Sequence, residues 1–388
     1  MSILWRDAMS RALYGPGGFF VAGTGPADHF RTSVHASPAF ATALLRLVTE
    51  VDAALGHPSR LDVVDVGAGR GELLQSMLGL VASEDNVGVA VGVSGEPTRA
   101  GRSGLIPPRA GSPETLTPTA SVRRSPDEPS LVAVRPSLAD RIRFTAVEYA
   151  DRPENLPEEI NWTAAIPDEI TGVLLATEWL DNVPLDVAVH TEDGWRYLLV
   201  DPDSGAESVG EPVSPDDHDW LTTWWPSPET PHSDHRRAEI GRTRDEAWAN
   251  AVQKIEQGMA VAVDYGHLRE SRPADGTLNG YRGGRQVPPV PDGSSDVTAH
   301  VAMDSVASAG AAVARCAYSL VLQREALRAL GADGGRPPLS LAGTDPVGYV
   351  RALAAASAVA ELTDPAGLGG HWWLRQPVGI PLGPVVAR

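Results

Sequence analysis

The stretch from Leu61 to Leu74, LDVVDVGAGRGELL, constrains the fold of this chain more than any other. An apolar run, Leu61 to Val66, ends in glycines at alternate positions, Gly67, Gly69 and Gly71, and a helical pattern opens at Glu72. Strand, glycine turn and helix in that order predict the first unit of a nucleotide-binding α/β domain. Glycine serves where the backbone needs positive φ, or where a ligand lies against the main chain with no room for a Cβ. A dinucleotide turn would space its glycines as GxGxxG and seat a pyrophosphate on the helix N-terminus. Counted from Gly67, the third glycine of that pattern falls on Glu72, whose carboxylate would repel a pyrophosphate. A tight strand-to-helix turn with no ligand is the plainer alternative.

The spacing Asp65-x-Gly67-x-Gly69-x-Gly71 resembles motif I of the S-adenosylmethionine (SAM) methyltransferases. SAM carries no phosphate, so Glu72 does not count against it. Such a fold needs an acid at the end of its second strand to accept the ribose hydroxyls. Residues 141–148 alternate polar and apolar side chains and end in Glu148. That acid ordinarily follows the glycines by about 20 residues, yet Glu148 stands 77 residues beyond Gly71. The gap is filled by residues 84–140, rich in Ser, Pro, Gly, Thr and Arg and without sustained periodicity. They read as a flexible insertion. Without it the spacing is ordinary, and Glu148 is the expected ribose acid.

Residues 173–184, VLLATEWLDNVP, form a buried apolar strand that opens into Glu178, Asp181 and Asn182. Ligands of open α/β sheets bind outside the carboxyl ends of strands. Glu178 and Asp181 are therefore expected beside the cofactor, where acids can orient a cationic acceptor and receive its proton. An acid-rich helix start explains one of the two carboxylates better than both. A further buried strand ends in Asp264-Tyr265-Gly266-His267. His267, Asp296 and His300 match no compact metal-ligand spacing, and hydrogen-bonding roles are expected for them instead of a metal.

Elsewhere the pattern predicts helices over residues 3–14, 38–55, 236–257, 319–330 and 347–362, and a hairpin over 185–200. Ser37-Pro38 reads as an N-cap followed by proline at the first helical position. The polar, aromatic loop containing Asp28 to Ser33 is read as a lid or a surface connection. Trp220, Trp224 and Trp225 belong to a cap core or to a binding surface, and a final apolar stretch around Trp372 reads as a strand.

Composition narrows the setting. Of 388 residues, 42% are hydrophobic, enough for a sizeable core. No apolar run reaches the roughly 18 residues of a membrane span, and the charged N-terminus lacks the core of a signal peptide. One cysteine, Cys316, allows no internal disulfide, so a cytoplasmic setting is expected. A net charge of −18 speaks against nonspecific binding to nucleic acid or an anionic membrane. It suits a basic partner such as an arginine-bearing protein segment, though surface acid also simply confers solubility.

With these stretches in view the chain resembles the MidA family of SAM-dependent methyltransferases. The resemblance rests on ALYGPGGFF (12–20), ADHFRTSVHASPAF (27–40), DVGAGRGEL (65–73), LLATEWLDNVP (174–184), AVDYGH (262–267) and SDVTAHVAM (295–303). The family's mitochondrial member is a complex I assembly factor and protein arginine methyltransferase. The resemblance implies an α/β fold: a class I SAM-methyltransferase, Rossmann-like sheet with an N-terminal helical element, inserted cap and loop regions and C-terminal additions. Its parts would be a helical and lid segment at 1–58, the SAM-binding domain at 59–83 and 141–318 with a cap about 185–257, the insertion at 84–140, and an α/β extension at 319–388.

The implied cofactor is SAM, held by Asp65, Gly67, Gly69, Gly71 and Glu148. Glu178 and Asp181 would be catalytic. Asp28, Thr32, Asn182, Asp264, Tyr265 and His267 would lie on the substrate side, with no metal. The implied partner is a protein with an accessible arginine, and an oligomer is possible. A non-catalytic assembly protein that retains the fold, small-molecule methylation, and an NAD-dependent oxidoreductase are the competing readings.

Overall fold

The structure, a computed structural model, describes residues 1–22, 32–91, 136–225, 236–332 and 334–381. Asp28 and residues 92–135 of the expected insertion lie outside the described residues. The insertion's first residues continue a helix that runs from Glu72 to Val91.

Seven strands build the central sheet: β1 (Leu61–Val66), β2 (Ile142–Val147), β3 (Ile160–Thr163), β4 (Ile170–Thr177), β5 (Ile255–Asp264), β6 (Ser319–Leu322) and β7 (Trp372–Val378). Their order is β6-β7-β5-β4-β1-β2-β3. Strands β3, β2, β1, β4 and β5 are parallel, and β7 runs antiparallel between β5 and β6. All six residues of β1 are buried, as expected of a strand covered on both faces. The strand order reverses between β1 and β4, so a crevice opens at their carboxyl ends. The sheet is the expected Rossmann-like one.

The helices that cover it follow their sequence signals. Helix α1 (Trp5–Tyr14) belongs to the cap; α2 (Pro38–Ala54) starts at Ser37, whose hydroxyl accepts the Ala39 N–H at 3.0 Å, with Pro38 in the first turn. Its Phe40, Leu44, Leu47 and Val51 face the sheet core. The next helix, α3 (Glu72–Val91), leaves directly from the glycine turn.

A second, antiparallel sheet forms the cap. Asp186–Thr191 pairs with Gly194–Val200 through the predicted hairpin, and Arg236–Ile240 and Glu207–Pro212 flank the pair. Ile3–Leu4 adds an edge strand from the start of the chain. Trp5, Met9 and Leu13 of α1 pack on Val187, Val189 and Val200 of this sheet. The first residues thus complete the cap, whereas α2 covers the central sheet. Trp220 and Trp225 are buried in a cap core with Ala238 and Ile240. Among the described residues no helix is long and apolar enough to cross a membrane.

Two expectations are corrected. The helix predicted from residue 236 is a strand over Arg236–Ile240, and helix α4 spans Arg242–Gln253. Residues 319–322 are strand β6 and only Gln323–Ala329 is helical. In both cases the run is too short to carry a period of its own, and sheet pairing decides. Strands β6 and β7 extend the central sheet beyond β5, with β6 at its edge.

Candidate functional site

A cavity of about 320 Å³ opens where β1 and β4 end. Its floor is the glycine turn. Gly67, Gly69 and Gly71 all hold positive φ, at 72°, 59° and 79°. A Cβ on Gly67 would stand 3.0 Å from the Trp179 ring, and one on Gly71 2.7 Å from Leu156. The turn is therefore fixed by backbone conformation and by its neighbours together. The Gly69 N–H donates to Glu148 Oε2 at 3.1 Å, and the Tyr149 N–H donates to Oε1 at 2.7 Å. Glu148 thus lies on the cavity wall at the end of β2, as its proposed ribose role requires. Burial raises its pKa.

Asp65, in the last turn of β1, also lines the cavity. Its Oδ1 is buried without a hydrogen-bond partner. Burial, followed by the charges of Glu72 and Glu148, pushes this carboxyl up to about 8. The folded protein then keeps a proton that the unfolded chain, whose carboxyl has its ordinary value of 3.8, gives up. Stability from the neutral form is full at low pH and is lost as pH rises from about 4 to about 8. Asp65→Asn is accordingly expected to stabilise the ligand-free protein more at pH 8 than at pH 5, by at least about 1 kcal/mol. Denaturant titrations at the two pH values check this.

The opposite wall carries the acids that follow β4. Glu178 adopts the left-handed region, φ 52°, unusual for a residue with a Cβ and a sign of a constrained site. Its N–H donates to Val263 O, which ties the residue to β5. Its Oε1 accepts the Ser33 N–H at 2.9 Å. Burial, opposed in part by Ser33, raises Glu178 to about 7, the range in which a carboxylate can take up a proton at neutral pH. One helical turn on, Asp181 is buried in the same wall. Helix α4 supplies the clamp: the buried Arg244 guanidinium donates to the carbonyls of Asp181, Val183, Ala299 and His300. It holds the Glu178–Asn182 turn against the 296–300 segment.

Thr32 and Asn182 also line the cavity. Asn182 Nδ2 donates to Asp296 Oδ1 at 2.6 Å, so its amide is committed to the protein. The structure does not bring Asp264, Tyr265 or His267 to the cavity wall. Asp264 is fully buried beneath the turn, where Oδ2 accepts the N–H groups of Leu180 and Asp181. Tyr265 reaches Asp181 from behind. His267 pairs with Arg272 and packs on Trp225, and burial with the Arg272 charge pushes it down to about 3. These three side chains are withdrawn as direct substrate contacts. Among the described residues no group of three His, Cys, Asp or Glu side chains could hold a metal ion.

Two wall residues escaped the sequence reading. Tyr14, at the end of α1, donates to Asn182 O at 3.2 Å and lies against Phe20 and Tyr149, with ring centroids 5.7 and 5.4 Å away. His35 bridges Thr32 Oγ1 at 2.7 Å and Glu72 Oε1 at 3.5 Å. Its hydrogen bond to Glu72, against the effect of burial, raises its pKa. Both belong to stretches that carry the family resemblance, which was the available signal.

Residues 122–320, just over half of the chain, match the model of a family described as "Putative S-adenosyl-L-methionine-dependent methyltransferase". The chain belongs to this family. The matched span includes Glu148, Glu178 and Asp181 and begins after the glycine turn. A crystal structure from Burkholderia thailandensis, described as a "likely methyl transferase" bound to S-adenosyl-homocysteine, superposes with TM-score 0.68 at 21% identity. The match covers 99% of this chain and 90% of that one. A native structure of an uncharacterized protein of the same superfamily from that organism gives 0.66 at 21% identity, over 98% and 89%. These similarities establish the fold. No curated protein matches the chain.

The chain is thus a SAM-dependent methyltransferase by family, and its residues fit that cofactor. The unpartnered Asp65 Oδ1 can accept an ammonium N–H, Glu148 can accept ribose hydroxyls, and the glycine turn admits a ligand against its backbone.

Proposed function

We propose that this methyltransferase transfers the SAM methyl group to a nitrogen of a cationic acceptor, an arginine guanidinium in a protein partner, as in the MidA family it resembles. The observation that carries this reading is a pair of acids in the cavity floored by the glycine turn, half-buried Glu178 and buried Asp181. Asp65, Glu72 and Glu148 add three more carboxyl groups to the same cavity, against the guanidinium of Arg70 and the imidazole of His35. An anionic acceptor would meet repulsion there, and a guanidinium would not.

Bound SAM would supply an electrophilic methyl carbon on a sulfonium. The work left to the chain is placement, exclusion of water and proton removal. A guanidinium has a pKa above about 12 and is not freely deprotonated in advance. Glu178 and Asp181 would hold it by charge-assisted hydrogen bonds so that one nitrogen faces the methyl. Glu178 would take the proton that the methylated nitrogen sheds. Cys316 is free, in keeping with a cytoplasmic enzyme.

The test is incubation of the purified protein with tritiated SAM and lysate from cells that lack it. Label in a protein fraction, recovered as methylarginine after hydrolysis, supports the proposal. Label in the low-mass fraction points to a small-molecule acceptor. No label from a folded protein that binds SAM points to a non-catalytic assembly role.

A further inference from the structure

Behind Asp181 lies a buried device that the catalytic outline does not use. Asp181 Oδ2 accepts the hydroxyl hydrogen of Tyr265, in a short contact, and that of Thr298 at 2.6 Å. The two hydroxyl oxygens lie 2.6 Å apart, so the three groups close a triangle. Asp181 Oδ1 is buried and has no hydrogen-bond partner. The backbone of Asp181 is fixed as well, its N–H on Asp264 Oδ2 and its carbonyl on Arg244. One oxygen of the carboxylate is thus fully engaged on the protein side. The other is left over on a residue of the cavity wall.

We infer that Tyr265 and Thr298 are positioning residues, which hold Asp181 as an oriented carboxylate so that Oδ1 is available to the positively charged group at the methyl-transfer point. The inference rests on the methyl-transfer reading above. Two donors on one oxygen set the rotation of a buried carboxyl group. Tyr265 suits the task because burial, then the charges of Asp181 and Asp264, raises its own pKa far above the ordinary value. Its hydroxyl therefore keeps the proton it donates. Thr298 comes from the three-stranded sheet of Asn279–Arg282, Arg285–Val287 and Asp296–Thr298, and Tyr265 from the end of β5. The acid that follows β4 is therefore set by two other parts of the fold. An unengaged oxygen in so enclosed a place is costly unless a cation meets it.

The test needs no knowledge of the acceptor. Sinefungin is a SAM analogue with an amine at the position of the transferable methyl. S-adenosylhomocysteine has neither charge nor substituent there. Calorimetric affinities for both ligands are measured in wild type, Tyr265→Phe, Thr298→Val, Thr298→Ser and Asp181→Asn. The expected result is a loss of about tenfold in sinefungin affinity for Tyr265→Phe and Thr298→Val, the scale of one charge-assisted hydrogen bond. S-adenosylhomocysteine affinity should stay within about twofold, Thr298→Ser should restore sinefungin binding, and Asp181→Asn should lose it at least as much. A merely structural role would weaken both ligands together. Equal loss of both ligands, an unchanged ratio, or an Asp181→Asn variant that binds sinefungin like wild type would overturn the inference. If wild type binds neither ligand, the cofactor assignment itself fails and the inference falls with it.

Discussion

Gly69→Val is expected to lower SAM affinity by at least about 100-fold while the protein still folds. Gly69 sits at φ 59°, where a β-branched residue is strained by roughly 1–3 kcal/mol. Its Cβ would point toward Glu72 Oε2, 3.4 Å away, which alone is ordinary contact. The larger consequence is the shift of the turn that relieves the strain. That shift breaks the hydrogen bond from Gly69 N–H to Glu148 Oε2, and a bond to a charged group contributes about 1.5–3 kcal/mol. The ribose acid and the floor of the cavity would move apart together. At about 1.4 kcal/mol per factor of ten, the two effects reach the stated loss. The core beneath the turn is made by β1 and α3 and does not depend on the Gly69 side. Calorimetric titration with SAM, beside a cooperative denaturant transition at a lowered midpoint, checks both halves. Wild-type affinity in the variant would remove the glycine turn from the cofactor site.

The sequence made the first βα unit legible because both of its signals are local. A run of six buried residues and three glycines in alternation admit few other structures. Ser37-Pro38 marked the start of α2 for the same reason. Glu148 was found through a 77-residue gap because its strand alternates and its acid closes it. Other features depend on partners far away in the chain. Ser319–Leu322 has four half-buried residues and no period of its own; it is a strand because β7 pairs with it. Arg236–Ile240 is held by Asp186–His190 in the same way. Asp264 looked like a ligand at the end of a strand, and it is a cap for the Glu178–Asn182 turn. A strand-end acid can face the ligand or the neighbouring loop, and periodicity does not distinguish the two. Tyr14 reaches the cavity only because α1 packs on a cap sheet that begins more than 170 residues later. These are choices made by tertiary packing, which local pattern does not encode.

Glu178→Gln is expected to leave SAM affinity within about threefold of wild type and to reduce methyl transfer by about 10²–10⁴-fold, the scale of a lost general base. The replacement is gentle in structure. Glutamine has the same length, and its carbonyl oxygen can still accept the Ser33 N–H that Glu178 Oε1 accepts now. The backbone, at φ 52° and bonded to Val263 O, bears the same strain with either side chain. What disappears is the charge and the place for a proton. Glu178 is poised for that place because burial raises its carboxyl to about 7, with Asp181 nearby adding to the rise. A cation in the cavity would draw the carboxyl down into its ionised form, and transfer would return a proton to it. The amide can do neither. Single-turnover label transfer, compared with SAM affinity on the same preparations, separates the two effects. Full transfer by Glu178→Gln would move the proton acceptor elsewhere, whereas loss of SAM binding would make Glu178 a part of the cofactor pocket.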